Sequence, residues 1–278
     1  MRASSLGINA GIMSDREKFA VLRRCRRIWA VAAIHGEADR LDALHDALAP
    51  RFAAGDRLVY LGNYLGRGAQ VAATIDRLLE FRRALIAQPG MFASDVAYLR
   101  GSQEEMWQKL LQLQFAPNPR EVLAWMLAQG VGATLAAYGG DAAQGAACAR
   151  EGALALTKWT NALRAAMQSR PGHYLLMSAL RRAAYTDDGG LLFVHAGIDP
   201  DRPLSAQSDS LWWGMGGFAT LAQPYGGFAK VVRGFDRGHP GIEVGAYTMT
   251  IDAGCGFGGP LVAACLDPAG EIVDAIEA

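Results

Sequence analysis

The chain has 278 residues, of which 51% are hydrophobic and 19% are charged. This composition supplies ample material for a buried core and excludes a chain that is disordered throughout. Lys plus Arg and Asp plus Glu each number 27, and this balance argues against bulk binding to nucleic acid or to an acidic membrane. The four cysteines form no Cys-x-x-Cys pair, so neither a zinc site nor a disulfide framework is predicted.

The N-terminal segment, residues 1–27, differs from the rest of the chain in charge. It carries seven basic residues against two acidic ones and shows no clear hydrophobic period. We predict a flexible basic tail, which is either simply solvated or contacts an anionic partner such as nucleic acid. No apolar run approaches the roughly 20 residues of a membrane span, and the first residues lack the order of a signal peptide. We therefore expect a cytoplasmic protein.

The next part of the chain alternates short apolar runs with helical patterns. Buried strands are predicted over Ile28–Ile34, Arg57–Leu61 and Val96–Leu99, and helices over Glu37–Leu48 and Val71–Ala87. Each strand ends in a loop that contains Gly or polar residues. Three strand–loop–helix units predict an α/β fold whose site-forming loops lie at the carboxyl ends of the strands.

The remainder divides into a helical stretch and a strand-rich half. Residues 105–170 are predicted to be mainly helical and to cover the site, with breaks at Gly and Pro. Four further strands are predicted over Leu191–His195, Lys230–Arg233, Tyr247–Asp252 and Pro260–Leu266. They suggest a second sheet packed on the first, so that residues 28–278 form one domain.

Five loop motifs follow these strands in a fixed order. They are Ala32-Ala33-Ile34-His35-Gly36, Gly62-Asn63-Tyr64-Leu65-Gly66-Arg67-Gly68, Arg100-Gly101-Ser102-Gln103-Glu104, His195-Ala196-Gly197 and Gly234-Phe235. The series resembles that of the calcineurin-like metallophosphoesterases, G-D-x-H-G, G-D-x-x-D-R-G, R-G-N-H-E, H-A-G and G-H. The similarity is nearest to bacterial serine/threonine protein phosphatases and to diadenosine-tetraphosphatases.

This resemblance implies an αββα sandwich of two mixed sheets with a helical cover. It also implies a dinuclear centre of manganese, iron or zinc that hydrolyses phosphate esters, in which the two metals clamp the phosphoryl group and activate a water. Six positions correspond to the family's metal ligands. They are Ala33, His35, Asn63, Ser102, His195 and Phe235.

The sequence departs from the family pattern at most of these positions. Only His35 and His195 keep the family's residue, and both carboxylate ligands are lost. Among the catalytic positions, Gln103 replaces the general-acid histidine and Gly66 replaces the aspartate of the D-R-G motif. Arg67, which corresponds to a phosphate-binding arginine, is kept, and so is Glu104.

Two functions remain open from the sequence. The first is a pseudophosphatase without metal or other cofactor, which binds a protein partner or a phosphorylated ligand. Its ligand-binding residues would be Arg67, His35, His195 and Asn63. The alternative is an active phosphoesterase, a protein phosphatase or a dinucleoside-polyphosphate hydrolase, with one manganese, iron or zinc ion and His239 as a substitute ligand.

The aromatic residues near the last loops allow two interpretations as well. Trp212, Trp213, Phe218 and Tyr225 either pack the loops or line an apolar pocket where the family binds its metals.

Overall fold

The structure, a computed structural model, describes residues 18–214 and 216–278. Its strands are β1 (Phe19–Leu22), β2 (Arg27–Val31), β3 (Asp56–Tyr60), β4 (Val96–Tyr98), β5 (Ala183–Thr186), β6 (Leu191–Val194), β7 (Lys230–Arg233), β8 (Gly241–Val244), β9 (Thr248–Asp252), β10 (Val262–Leu266) and β11 (Ile272–Glu277). Its α-helices are α1 (Ala38–Leu48), α2 (Val71–Ile86), α3 (Ser102–Leu110), α4 (Pro119–Ala128), α5 (Val131–Ala137), α6 (Ala142–Glu151), α7 (Ala153–Gln168), α8 (His173–Ala179) and α9 (Ser210–Trp213). Within these ranges no helix has the length and apolar character that a membrane crossing requires.

The strands form two mixed sheets. The five-stranded sheet has the order β11-β10-β2-β3-β4, in which β2, β3 and β4 run parallel. The six-stranded sheet has the order β1-β5-β6-β7-β9-β8, with parallel pairs at β6–β7 and β7–β9. The parallel strands place their carboxyl ends, and the loops that follow them, at one edge of the sandwich.

The two faces of β2 show how the layers are arranged. Trp29 and Val31 point into a core shared with helices α1 and α2, whereas Ile28 and Ala30 point into a second core between the sheets. This alternation is the period of two expected for a strand that is buried on both faces. A third apolar cluster covers the outer face of the six-stranded sheet with α9 and adjoining loops. The predicted αββα sandwich is confirmed.

The helical cover extends slightly further than predicted. Helices α3 to α8 run from Ser102 to Ala179, against a predicted range of 105–170. Buried residues of the cover, among them Leu123, Leu135 and Leu163, join the same core as α1 and α2. The cover is therefore packed on the sandwich by apolar burial, the largest favourable contribution to folding.

The prediction of a flexible tail up to Arg27 was wrong for its described part. Residues 1–17 lie outside the described residues, but Phe19–Leu22 pairs in parallel with β5. Leu22 is fully buried and Phe19 is nearly so. Strand β1 has four residues beside an arginine cluster, which is too few to show a hydrophobic period. It is buried because it pairs with β5, which is distant in sequence.

Three other strands, β5, β8 and β11, were not predicted. Strand β8 is an edge strand of four residues that are half-buried or exposed, and in β11 exposed positions alternate with half-buried ones and with the buried Ile276. Neither contains the continuous apolar run by which the buried strands were recognised.

Candidate functional site

Backbone hydrogen bonds join the strand-end loops into one site. The N–H groups of Ile34 and His35 donate to the carbonyl of Asn63, at 3.1 and 2.6 Å. The N–H groups of Gly234 and Phe235 donate to the carbonyl of His195, and the N–H of Ala33 donates to the carbonyl of Gly234. The predicted positions Ala33, His35, Asn63, His195 and Phe235 are therefore brought together.

The Asn63 side chain is fully buried and points toward helix α3. Its Oδ1 accepts from the backbone N–H of Gln103 at 2.9 Å and from the Ser102 hydroxyl at 3.1 Å. With the oxygen fixed in this way, Nδ2 faces His35 Nε2 at 3.2 Å. The residue that stands at the family's metal-bridging position thus presents a donor, and not an oxygen ligand, to the neighbouring imidazole.

His35 is buried and electrically neutral. Burial is the main cause that holds its pKa well below the ordinary value, and the nearby His195, Arg67 and His239 act in the same direction. Because the Asn63 amide donates to Nε2, the ring proton lies on Nδ1. That atom is buried and has no hydrogen-bond partner among the described residues.

His195 and Phe235 form a stacked pair. The His195 Nδ1 donates to the carbonyl of Leu61 at 2.7 Å, and the imidazole lies parallel to the Phe235 ring with 5.4 Å between centroids. Burial lowers the pKa of His195 to about 4. The Phe235 ring also lies 5.7 Å from the His35 ring and 5.8 Å from the His239 ring. A phenyl ring therefore stands among three imidazoles.

Glu104 holds the loop that carries Asn63. Its carboxylate accepts from the backbone N–H groups of Asn63, Tyr64, Leu65 and Gly101 at 2.8–3.0 Å. Burial raises the pKa of Glu104, and these backbone donors oppose the rise. All four contacts are to backbone, and Glu104 does not line the cavity over the site, so this acid supports the loop.

Gln103 and Gly66, which replace a histidine and an aspartate of the family pattern, depend on each other sterically. The Gln103 Nε2 donates to the carbonyl of Gln129 at 2.8 Å, and Oε1 is buried without a partner in the described chain. A Cβ placed on Gly66, where φ is +87°, would lie 2.9 Å from Gln103 Cγ and closer still to the amide. The family's aspartate cannot stand at this position while Gln103 keeps its rotamer.

Arg67 lies at the mouth of the site with its guanidinium carbon 3.9 Å from the centre of the Phe257 ring. This is a cation–π contact. In the part of the chain that the structure describes, the Arg67 guanidinium forms no ion pair with a carboxylate. The side chain is exposed and is available to an anion.

His239 reaches the same site but is engaged by a buried acid. Its Nδ1 lies 2.7 Å from Asp252 Oδ2, and its ring centre is 4.1 Å from that of Phe257. Asp252 also accepts the backbone N–H groups of Asp236 and Gly254. The proposed substitute ligand is therefore adjacent to the site, with one ring nitrogen already occupied.

The side chains at this site do not fit a dinuclear metal centre. Manganese, iron and zinc centres of this kind need carboxylates and imidazoles to offset the charge of two dications. The site offers two neutral imidazoles and an amide whose oxygen faces away, and Phe235 stands at a ligand position. Residues 18–214 and 216–278 contain no group of three or more His, Cys, Asp or Glu side chains placed to hold a metal.

A cavity of about 340 Å³ lies over these residues. It is lined by His35, Arg67, Ser102, Gln103, Met106, Trp125, Gln129, Trp212, Trp213, Phe235, Arg237, His239 and Phe257. Trp212 and Trp213 thus line a pocket, whereas Phe218 and Tyr225 belong to the apolar cluster on the six-stranded sheet. Trp125, Arg237 and Phe257 were missed from the sequence, which gives no sign that helix α4 or the last Gly-rich loop faces the site.

No protein-family model matches this chain, and no curated protein matches it. Among solved structures, one provisionally assigned as a diadenosine tetraphosphatase is 18% identical, with a TM-score of 0.55 over 94% of this chain and 97% of that one. A cold-active protein tyrosine phosphatase is 12% identical, with a TM-score of 0.51 over 93% of this chain and 82% of that one. A second structure of such an enzyme, from a psychrophilic Shewanella species, is 13% identical, with a TM-score of 0.50 over 93% and 84% of the two chains.

The chain has the calcineurin-like metallophosphoesterase fold. The fold that the loop motifs imply is therefore confirmed. At sequence identities of 12–18%, the structural similarity establishes a shared architecture and nothing about activity. The activity has to be argued from the side chains that stand at the site.

Proposed function

We propose that this protein is a pseudophosphatase, which keeps the phosphoesterase fold and binds a phosphorylated ligand without hydrolysing it. The observation that carries the proposal is the orientation of Asn63. Its only side-chain oxygen is used by the Ser102 hydroxyl and the Gln103 N–H. The group that would bridge two metals is therefore neutral and faces the protein.

The loss of the acid points the same way. A positioned general acid contributes on the order of 10²–10⁴ in rate, and an amide cannot donate a proton to a leaving alkoxide. The Gln103 amide instead bonds to the carbonyl of Gln129 in the helical cover. The side chain thus joins helix α3 to the residue that follows helix α4 within the helical cover.

Arg67 supports retained binding of a phosphorylated group. Its guanidinium faces the cavity, packs on Phe257 and has no carboxylate partner among the described residues. Arg and phosphate form strong charge-assisted hydrogen bonds. A protein partner would then be recognised through a phosphorylated group; the basic N-terminal segment, a second predicted contact, falls largely in residues that the structure does not describe.

The test combines catalysis and binding. Hydrolysis of p-nitrophenyl phosphate, a phosphopeptide and diadenosine tetraphosphate is expected to stay near background with manganese or zinc added, while calorimetry detects phosphate-ester binding. Arg67→Met should abolish that binding. Arg120→Met is the matched control because this exposed arginine of α4 lies outside the cavity. Turnover at ordinary enzymatic rates, about 1–10³ per second, that is lost in Asn63→Ala would refute the proposal.

One observation favours the single-metal alternative: His35 and His239 line the same cavity. An active phosphoesterase of this kind would bind one manganese, iron or zinc ion per chain and would lose both the metal and the activity in His239→Ala. Elemental analysis of the purified protein and of this variant separates the two functions.

A further inference from the structure

Two hydrogen bonds tie the main chain around Arg67 to the helical cover. The backbone N–H of Gly66 donates to the hydroxyl of Thr134, a fully buried residue of α5, at 3.0 Å. The backbone N–H of Arg67 donates to the carbonyl of Gly130, which directly precedes α5, at 3.1 Å. The turn between α4 and α5 and the first part of α5 therefore hold the loop at the point where Arg67 leaves it.

Arg67 has a backbone conformation that requires such support. Its φ is +41°, in the left-handed region that residues with a side chain seldom enter. A residue held there is strained, and the structure around it has to impose the conformation. At Arg67 the hydrogen bonds from Gly66 and Arg67 to the cover supply part of that support, and the N–H of Gly68, which donates to the carbonyl of His35 at 2.7 Å, supplies another part.

Gly130 also leaves room for the Arg67 side chain. A Cβ placed on Gly130 would lie 2.7 Å from Arg67 Cγ, closer than Cβ atoms come to other atoms in real structures. The arginine stem thus passes directly over the glycine before its guanidinium reaches the ring of Phe257. Because position 130 has no side chain, the guanidinium can lie along this path and line the cavity.

The turn between α4 and α5 is itself fixed against the site. Gln103 Nε2 donates to the carbonyl of Gln129, the other residue of the turn, at 2.8 Å. On the α4 side, Trp125 lies against Trp213 of α9, with ring centres 5.7 Å apart. On the α5 side, Val131 is fully buried in the core. The turn therefore has a defined place, from which it can hold Arg67.

We propose that Gly130 and Thr134 are positioning residues, through which the helical cover sets the affinity of Arg67 for a phosphate group. The inference rests on the proposed function, since it names what regulates the same site. A guanidinium already directed at the cavity loses less conformational freedom when an anion binds, and such preorganisation raises affinity. If the turn moves away from Gly66 and Arg67, the arginine is released and the affinity falls.

Calorimetric titration of the full chain with inorganic phosphate tests the role of Thr134. Thr134→Val removes the acceptor for the Gly66 N–H and keeps the shape of the side chain, so binding is expected to weaken at least ~5-fold, the factor for one hydrogen bond. Thr134→Ser keeps the hydroxyl and should restore the affinity. Thr160→Val is the matched control, because this buried threonine bonds to Gln114 and Thr157 within the cover and lies outside the cavity.

A second pair of variants tests the role of Gly130. Gly130→Ala places a methyl group against the Arg67 stem and is expected to weaken phosphate binding more than Thr134→Val does. Gly139→Ala is the matched control. Gly139 lies just beyond the other end of α5, also has a positive φ, +74° against +101°, and a Cβ there meets no atom within 4 Å. Both variants strain the backbone, so a difference between them reports the contact with Arg67.

The nuclear magnetic resonance of the Arg67 Nε–H group gives a readout that needs no ligand. The guanidinium carbon lies 3.9 Å from the centre of the Phe257 ring, so the ring current shifts this resonance, which Arg67→Met identifies by its loss. The resonance should move in Thr134→Val and Gly130→Ala, and it should stay in place in Thr160→Val and Gly139→Ala. A purely structural role of the turn would not move it.

The outcomes separate this inference from the proposed function. If phosphate affinity and the Arg67 resonance change no more in Thr134→Val and Gly130→Ala than in their controls, the inference is overturned and a phosphate-binding pseudophosphatase remains. If the wild type binds no phosphate, the proposed function is overturned, and the resonance alone decides whether the cover positions Arg67. Circular dichroism checks the fold of each variant, and if Gly130→Ala does not fold, the Thr134 variants decide.

Discussion

Glu104→Gln is the substitution whose cost can be worked out most directly from the structure. The carboxylate accepts four backbone hydrogen bonds, two at each oxygen. Glutamine keeps one acceptor oxygen, so its NH₂ group faces two backbone N–H donors that have no other partner nearby. Each buried donor left unpaired costs about 1–3 kcal/mol. The substitution also removes a buried charge, which offsets part of this free-energy cost because burial disfavours the charged carboxylate. We expect a net loss of about 3 kcal/mol.

Urea denaturation followed by circular dichroism measures this loss. Glu105→Gln is the matched control: Glu105 pairs with Arg100 and Lys109 at 3.1 and 3.7 Å near the surface. Pairs of that kind contribute up to about 1 kcal/mol. If Glu104→Gln lowers the free energy of unfolding no more than Glu105→Gln does, Glu104 is not the support of the Asn63 loop.

Three further results are expected. Phe235→His should lower the melting temperature with or without manganese, since it removes a half-buried ring stacked on His195; a rise with manganese would contradict this. Excess EDTA should leave the melting temperature of the wild type unchanged, because no metal that binds only the folded state is removed; a fall of several degrees would disprove it. Stability should decrease as the pH falls from about 6.5 to about 4, because the unfolded chain binds a proton at His195 that the folded chain refuses. That difference in pKa corresponds to roughly 3 kcal/mol, and His195→Gln should make the same pH curve less steep without flattening it, because burial lowers the pKa of His35 and His45 as well.

The sequence predicted the interior of the sandwich well and its edges poorly. Strands β2, β3, β6, β7, β9 and β10 are buried at all or all but one of their positions, and their predicted bounds lie within three residues of the observed ones. Burial on both faces makes such strands visible in the sequence. The strands that were missed, such as β1 and β8, are short edge strands whose place depends on a distant partner.

The sequence indicated which strand ends the motif residues follow, but not the geometry between their side chains. The motif order placed His35, Asn63 and His195 at neighbouring strand ends, where they lie. The direction of the Asn63 amide could not be predicted, because it is set by the N-terminus of helix α3 across 39–40 residues of chain. Trp125 and Phe257 were missed for the same reason, since the cavity exists only after distant segments pack together.

The way in which Asn63 is held also bears on how this protein ages. An asparagine converts spontaneously to aspartate when the backbone nitrogen of the next residue attacks the side-chain carbonyl and closes a five-membered imide. Here the N–H of Tyr64 is bonded to Glu104, and the Asn63 carbonyl oxygen is held by Ser102 and Gln103. The two reacting groups are therefore restrained in a fully buried loop. Position 63 should stay an amide over long storage, so the negative charge that the family uses to hold metal will not return through chemical damage.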